Sequence, residues 1–175
     1  MIKNDSQIWT ISNKSEEKFL RKRPANFDFS KYTEKEVREL VNTMRSIMRR
    51  ANGVGLSANQ VGLDMQLFVA GIPQRNGRPK WYAIFNPKIE RPSKEQFTME
   101  EGCLSVPNTY GTVTRPKEIV LTGFDKHQRA VTIRATGLIA RVFQHEVDHL
   151  NGIVFIDKAQ NLHEGTVESD TEDTA

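Results

Sequence analysis

The sequence predicts an α+β fold. Two stretches carry helical periodicity, several short runs rich in β-branched and aromatic residues lie between and after them, and nothing alternates as regular βαβ units. A chain of 175 residues suits one domain with a real core and is too short for two comfortable ones.

Residues 1–30 read as an irregular arm anchored by Phe27 and Phe29. Thr33 then opens a helix, with Glu36 three residues on as a capping-box partner. Val37, Leu40, Val41, Met44, Ile47 and Met48 fall on one face, and Asn52-Gly53 ends the helix. That stripe is core packing and carries no chemistry. The stretch from Gly53 to Gly62 holds three glycines and reads as a loop set by its backbone. Strands are expected at Gln66–Ala70, Trp81–Phe85 and Phe97–Glu101, with a turn at Asn86-Pro87. Glu118–Phe124 and Ala130–Ala135 flank a short polar turn and form a hairpin. Thr136 caps a second helix from Gly137 to about Leu150, closed by Gly152. Residues 1–158 are expected to form one folded domain, and 159–175 an acidic, flexible tail.

The net charge of +3 is unevenly spread. All basic residues lie at or before Lys158, so the body carries +8. The tail carries −5, from Glu164, Glu168, Asp170, Glu172 and Asp173. A basic body can be drawn to RNA, but no long basic run or aromatic-basic stripe marks a specific nucleic-acid site. No apolar run is long enough to cross a bilayer, and the N-terminus lacks an apolar signal core, so the expected location is cytoplasmic. The single cysteine, Cys103, cannot form an internal disulfide, which suits a reducing compartment.

The strongest chemical signal is His145-Glu146-Val147-Asp148-His149, an HExxH motif on the second predicted helix. Residues i and i+4 share a helical face, so two imidazoles can converge on one metal ion, with Glu146 placed to act on a water. The bland alternative is two half-exposed histidines on an amphipathic helix. A catalytic metal needs a third protein ligand. The extended motif that ends in a third histidine fails, because Phe155 stands at that position. A downstream glutamate would have to be Glu164 or Glu168, in a tail with little apolar content to fix it. Cys103 is the better candidate, because a thiolate binds borderline and softer divalent metals well and Gly102 permits close backbone approach.

Three motifs then coincide: Gly53-Val54-Gly55-Leu56-Ser57-Ala58-Asn59-Gln60, Glu101-Gly102-Cys103-Leu104-Ser105, and His145 to His149. In order and spacing they resemble the GxGLxAxQ, EGCLS and HExDH motifs of the peptide deformylases, and the similarity runs from about residue 18 to 157. The resemblance implies antiparallel β-sheets packed around a central helix that carries the HExxH motif. It implies removal of the N-formyl group from the formyl-methionine of newly made polypeptides, releasing formate. It assigns Cys103, His145 and His149 as ligands of one divalent metal, Fe(II) natively, with Zn(II), Ni(II) or Co(II) as alternatives. It assigns Glu146 as general acid/base, and the Gln60 side chain and the Leu104 backbone N–H to the developing oxyanion. For the substrate it points to Val54, Gly55, Leu138 and Val142, with part of Arg141, and to Tyr110 and Gly111 along the peptide.

Read without the resemblance, Gln60 is a loop residue capping backbone groups. Glu101 is expected to pair with Arg115, and Asp148 to hold its helix in place. Ser57 stands where the family commonly has alanine, a nearly isosteric change. The short acidic tail replaces the long basic C-terminal helix by which many bacterial relatives contact ribosomes, so docking of that kind is not expected. The expected partners are N-formyl-methionyl nascent peptides, with no membrane, no specific nucleic acid, and a monomeric state. A different metal hydrolase acting on peptides, which would need neither Cys103 nor Gln60, is the rival reading.

Overall fold

The computed structural model describes residues 2–3, 6–75 and 77–165. Its first helix, α1 (Lys14–Leu20), lies inside the segment expected to be an irregular arm. Asn13 caps it, its Oδ1 accepting from the backbone N–H of Ser15 (3.0 Å) and Glu16 (3.4 Å). Phe27 and Phe29 do anchor the arm, packing edge-to-face at 4.9 Å and both meeting Phe85.

Helix α2 (Glu34–Arg50) begins where the capping box requires. Thr33 Oγ1 accepts from Glu36 N at 3.3 Å, and Glu36 Oε2 accepts from Thr33 N at 2.8 Å. All six residues of the apolar stripe are buried. Each contributes about 1.5–3 kcal/mol of burial before the cost of ordering.

The glycine-rich stretch holds a short strand, β1 (Gly55–Ser57), and a 3₁₀ turn at Ala58–Val61. Strands β2 (Leu67–Ile72), β3 (Lys80–Glu90), β6 (Glu118–Phe124) and β7 (Ala130–Thr136) join β1 in an antiparallel sheet of order β1-β2-β3-β6-β7. The expected turn at Asn86-Pro87 is instead a bulge inside β3, where the register with β6 shifts between Phe85 and Lys88. Asn86 takes a left-handed φ of 50° there. Its side chain bonds the backbone N–H and C=O of Phe27, so the polar dipeptide ties the arm to the sheet.

Strands β4 (Gln96–Cys103), β5 (Val106–Pro116) and β8 (Gln160–Glu164) form a second antiparallel sheet of order β4-β5-β8. Residues of the acidic segment, Gln160, His163 and Glu164, pair with β5 in this sheet. The rest of that segment, 166–175, lies outside the described residues.

Helix α3 (Gly137–His149) runs between the two sheets and is buried around most of its circumference. Thr136 sits at its N-cap but makes no side-chain capping bond. Ala140, Phe143 and Val147 pack with Phe68, Ala70, Ile72 and Tyr82 on one face of the large sheet, while Leu67, Val69 and Phe85 pack with α2 on the other. Strand β2 is thus covered on both faces, which explains its unbroken apolar run. Gly152 ends α3 at a φ of 76°, and a Cβ there would lie 2.3 Å from the carbonyl oxygen of Arg21, so only glycine fits.

Candidate active site

The three sequence motifs meet where β4 ends against α3. A register shift at Gly102/Cys103 breaks the β4–β5 ladder and re-aims Cys103. The helical repeat places His145 and His149 one turn apart, their ring centroids 5.0 Å from each other. One potential ligand atom from each of Cys103, His145 and His149 lies within 4.8 Å of the others, and Cys103 Sγ is 3.1 Å from His149 Nε2. The rival third ligands are elsewhere: Glu164 is exposed at the end of β8, and Glu168 lies outside the described residues.

Charge pairing prepares this cluster for a cation. Burial pushes the Cys103 thiol up, but His149 and His145 outweigh it and hold its pKa at about 5. Burial lowers the basicity of His145, yet its bonds to Cys103 and Glu101 outweigh that and raise its pKa to about 10. The protein alone thus favours a thiolate beside a protonated imidazole. A divalent cation can take that proton's place, which is the usual coupling of metal binding to proton release. His145 Nδ1 lies 3.0 Å from Glu101 Oε2, which leaves Nε2 to the cluster. His149 Nδ1 is buried without a hydrogen-bond partner, so that ring makes its polar contact on the cluster side alone. One sulfur and two imidazole nitrogens, oriented in this way, fit a borderline divalent metal with an open coordination position.

The support around the ligands is ionic and buried. Glu101 accepts two bonds from Arg115, at 2.7 and 2.9 Å, and a third from Arg141 at 2.6 Å. Arg115 also donates to Asp148 Oδ2 at 2.7 Å, and Lys158 donates to Asp148 Oδ1 at 2.6 Å. The expected Glu101–Arg115 pair is present, and Asp148 does hold the helix, through two cations. Burial opposes the charged Glu101, but Arg115 and His145 keep its carboxyl far below the usual carboxylate range. Removing one partner from such a network leaves an uncompensated buried charge.

Glu146 is 3% exposed. Burial raises its pKa against the pull of His145, His149 and Ser57. Its carboxylate lies against Gly55: a Cβ at that position would sit 2.2 Å from Glu146 Oε1. This close approach is the physical reason for the second glycine of the first motif. Gln60 does cap a backbone group. Its Oε1 accepts from Ser57 N at 2.9 Å, and this fixes the amide so that Nε2 faces Ser105 Oγ (3.1 Å) and Cys103 Sγ (3.8 Å).

Cys103, His145, Glu146, Gln60 and Leu104 open onto a cleft of about 620 Å³. Val54, Gly55, Tyr110, Leu138 and Val142 line it, as does Arg141. Gly111 does not. It is buried against β8, where a Cβ would meet Leu162 at 2.8 Å, because the alternation of a strand turns the neighbour of Tyr110 to the other face. Sequence reasoning missed Met99 and Pro107 on the cleft wall, Ser105 beneath Gln60, and Arg141 as a partner of Glu101. Only the alternation along β4 could have exposed Met99. The other contacts join residues far apart in the chain.

Comparison with known proteins agrees with this geometry. The family model described as polypeptide deformylase matches residues 8–165. Peptide deformylase 2 of Gloeobacter violaceus is 43% identical over 126 residues, 72% of this chain and 67% of the relative. The peptide deformylase of Synechocystis is 46% identical over 125 residues, 71% of this chain and 67% of the relative. The crystal structure of a probable peptide deformylase from Synechococcus phage S-SSM7 superposes with a TM-score of 0.79 at 36% identity, covering 88% of this chain and 99% of that one. A Synechococcus elongatus peptide deformylase in complex with actinonin superposes with a TM-score of 0.80 at 32% identity, covering 92% of this chain and 84% of that one. The matched span takes in every residue of the Cys/His/His cluster, the buried glutamate and the loop that packs on it, and the chain belongs to the polypeptide deformylase family.

Proposed function

We propose that the chain hydrolyses the formyl amide of N-formyl-methionyl peptides at a divalent metal held by Cys103, His145 and His149. The observation that carries this reading is the Cys/His/His cluster opening on one cleft with Glu146 and Gln60. A bound metal of this class acidifies water and so supplies a nucleophile at neutral pH. Fe(II) is the proposed native ion, with Zn(II), Ni(II) or Co(II) able to occupy the same donors.

The peptide lies extended in the cleft, bordered by the Val54–Gly55 edge and by Tyr110. Val54, Met99 and Leu138 are large apolar residues left exposed there, and with Val142 they offer a surface suited to a methionine side chain. The Gln60 Nε2–H and the Leu104 backbone N–H receive the formyl oxygen as it gains negative charge. Glu146 takes the proton from the attacking water and delivers it to the peptide nitrogen as the C–N bond breaks. Formate and a free α-amine result. Glu101 keeps His145 oriented throughout.

The test is formate release from formyl-Met-Ala-Ser by anaerobically purified protein, with metal content measured on the same sample. Turnover at one metal per chain is expected. Glu146→Ala should retain the metal and lose activity by about 10²–10⁴-fold. Stoichiometric metal without formate, with Fe(II), Ni(II) and Zn(II) each supplied, would overturn the reading.

A further inference from the structure

A second cleft, of about 610 Å³, lies on the outer face of α2 and shares no lining residue with the active site. Asn42, Arg45, Ser46, Arg49, Arg50 and Trp81 line it. The Arg45 guanidinium lies over the Trp81 ring, 5.1 Å from its centroid. Arg45 Nε is buried there without a hydrogen-bond partner. Arg49 and Arg50 are exposed, and no carboxylate among the described residues forms an ion pair with any of these three arginines.

The wider charge pattern points the same way. Residues 40–89 hold seven basic residues and a single acid, Asp64, whose Oδ1 accepts from the backbone N–H of Ala25. The loop leading into Trp81 adds Arg75, Arg78 and Lys80 to the field. Arginines in the last turn of α2 also complement the helix dipole, but that effect explains neither the groove nor the aromatic floor. One planar cation stacked on a tryptophan, with two more exposed along the same groove, matches a ligand that offers oxygen anions at regular intervals. A sugar-phosphate backbone is such a ligand, and guanidinium groups are the side chains best suited to it.

We propose that this groove is a docking surface for RNA, bound through its phosphates without reading base sequence. Arg49 and Arg50 contact the backbone directly, and the Arg45–Trp81 stack forms the floor. The site is independent of catalysis, so its failure would leave the deformylase reading untouched.

The test is fluorescence anisotropy with a labelled 20-nucleotide RNA hairpin across a KCl series, comparing wild type with Arg49→Gln/Arg50→Gln. Glutamine keeps helix propensity and length while removing charge. The double variant should bind at least about ten-fold more weakly at 100 mM salt, with the slope of log K against log salt reduced by about two, one per lost phosphate contact. Turnover of formyl-Met-Ala-Ser should not change. A control variant, Lys14→Gln/Lys18→Gln on exposed α1, removes the same charge elsewhere and should bind like wild type. Equal weakening by both double variants would mean diffuse charge and no groove, and would overturn the proposal. So would the absence of RNA binding at 50 mM salt, or groove-dependent binding of phosphatidylserine vesicles with none of RNA.

Discussion

Ser57 Oγ lies 2.7 Å from Glu146 Oε2 and 2.9 Å from the backbone oxygen of the same residue, in a setting where both side chains are buried. The hydroxyl has one proton, so it donates to one of these acceptors at a time. When it donates to the carboxylate, it holds Glu146 in the charged, proton-accepting form and fixes its orientation. Alanine at this position would fill the space and lose the bond. Ser57→Ala should therefore fold and keep its metal. Its kcat should fall about five-fold, matching a net hydrogen bond of roughly 1 kcal/mol, with KM unchanged. Steady-state kinetics on formyl-Met-Ala-Ser decide it, and an unchanged kcat would reduce Ser57 to a packing residue.

Gly55 acts on the same carboxylate from the opposite side. A methyl group there would stand 2.2 Å from Glu146 Oε1, inside any allowed contact. Because Glu146 is buried, the carboxylate can only rotate away from its working position. A displacement of about 1 Å at a catalytic group costs on the order of 10²-fold. Gly55→Ala should lose activity on that scale while metal analysis and thermal unfolding show a loaded, folded protein. Loss of the metal instead would mean that the strain is relieved through α3.

Glu101 links acid stability to the metal site. Arg115 and His145 hold its folded pKa below the unfolded value of 4.5 despite burial. A depressed carboxyl pKa contributes stability that is fully present above the unfolded value and is lost as pH falls toward the folded one. Urea midpoints of the wild type should therefore fall steeply below about pH 4.5. Glu101→Gln should be destabilised near neutrality by about 3–5 kcal/mol, because Arg115 and Arg141 lose a buried partner. It should also show a flatter profile below pH 4.5. Its metal affinity should drop about 10–100-fold, because His145 loses the group that orients it.

The parts of this architecture legible in the sequence were those governed by local periodicity. The α2 stripe, the HExxH helix and the β6–β7 hairpin each depend on residues a few positions apart. Helix α1 escaped because KSEEKFL buries only Leu20 and is too short to show a period. Strand β5 escaped because Pro107, Asn108 and Gly111 imitate loop chemistry, while its pairing with β4 is set by contacts across the sheet. Strand β8 is exposed at every position and has no alternation to read. At the site, the metal-binding residue types and their motifs were visible. The convergence of Arg115, Arg141 and His145 on one carboxylate was not, since those contacts span 14 to 44 residues. Only Arg115 was foreseen. Ser57 read as an isosteric change because its partner lies 89 residues away.

Chelation separates the metal's structural role from its chemical one. Cys103, at the end of β4, and His145 and His149, on α3, each bring a potential donor atom within 4.8 Å of the others, so a cation held there ties the strand to the helix. A ligand that binds only the folded state stabilises it by about 2.7 kcal/mol at a hundred times its Kd. Chelation of the wild type should therefore lower the Tm by several degrees, and adding back Zn(II) or Ni(II) should restore it. Cys103→Ser removes the sulfur donor and should bind little metal. Its Tm should match the chelated wild type and should not respond to chelator. If Cys103→Ser still bound one metal per chain with an unchanged Tm response, the third ligand would have to be sought elsewhere, and the rival hydrolase reading, which needs no cysteine, would gain ground.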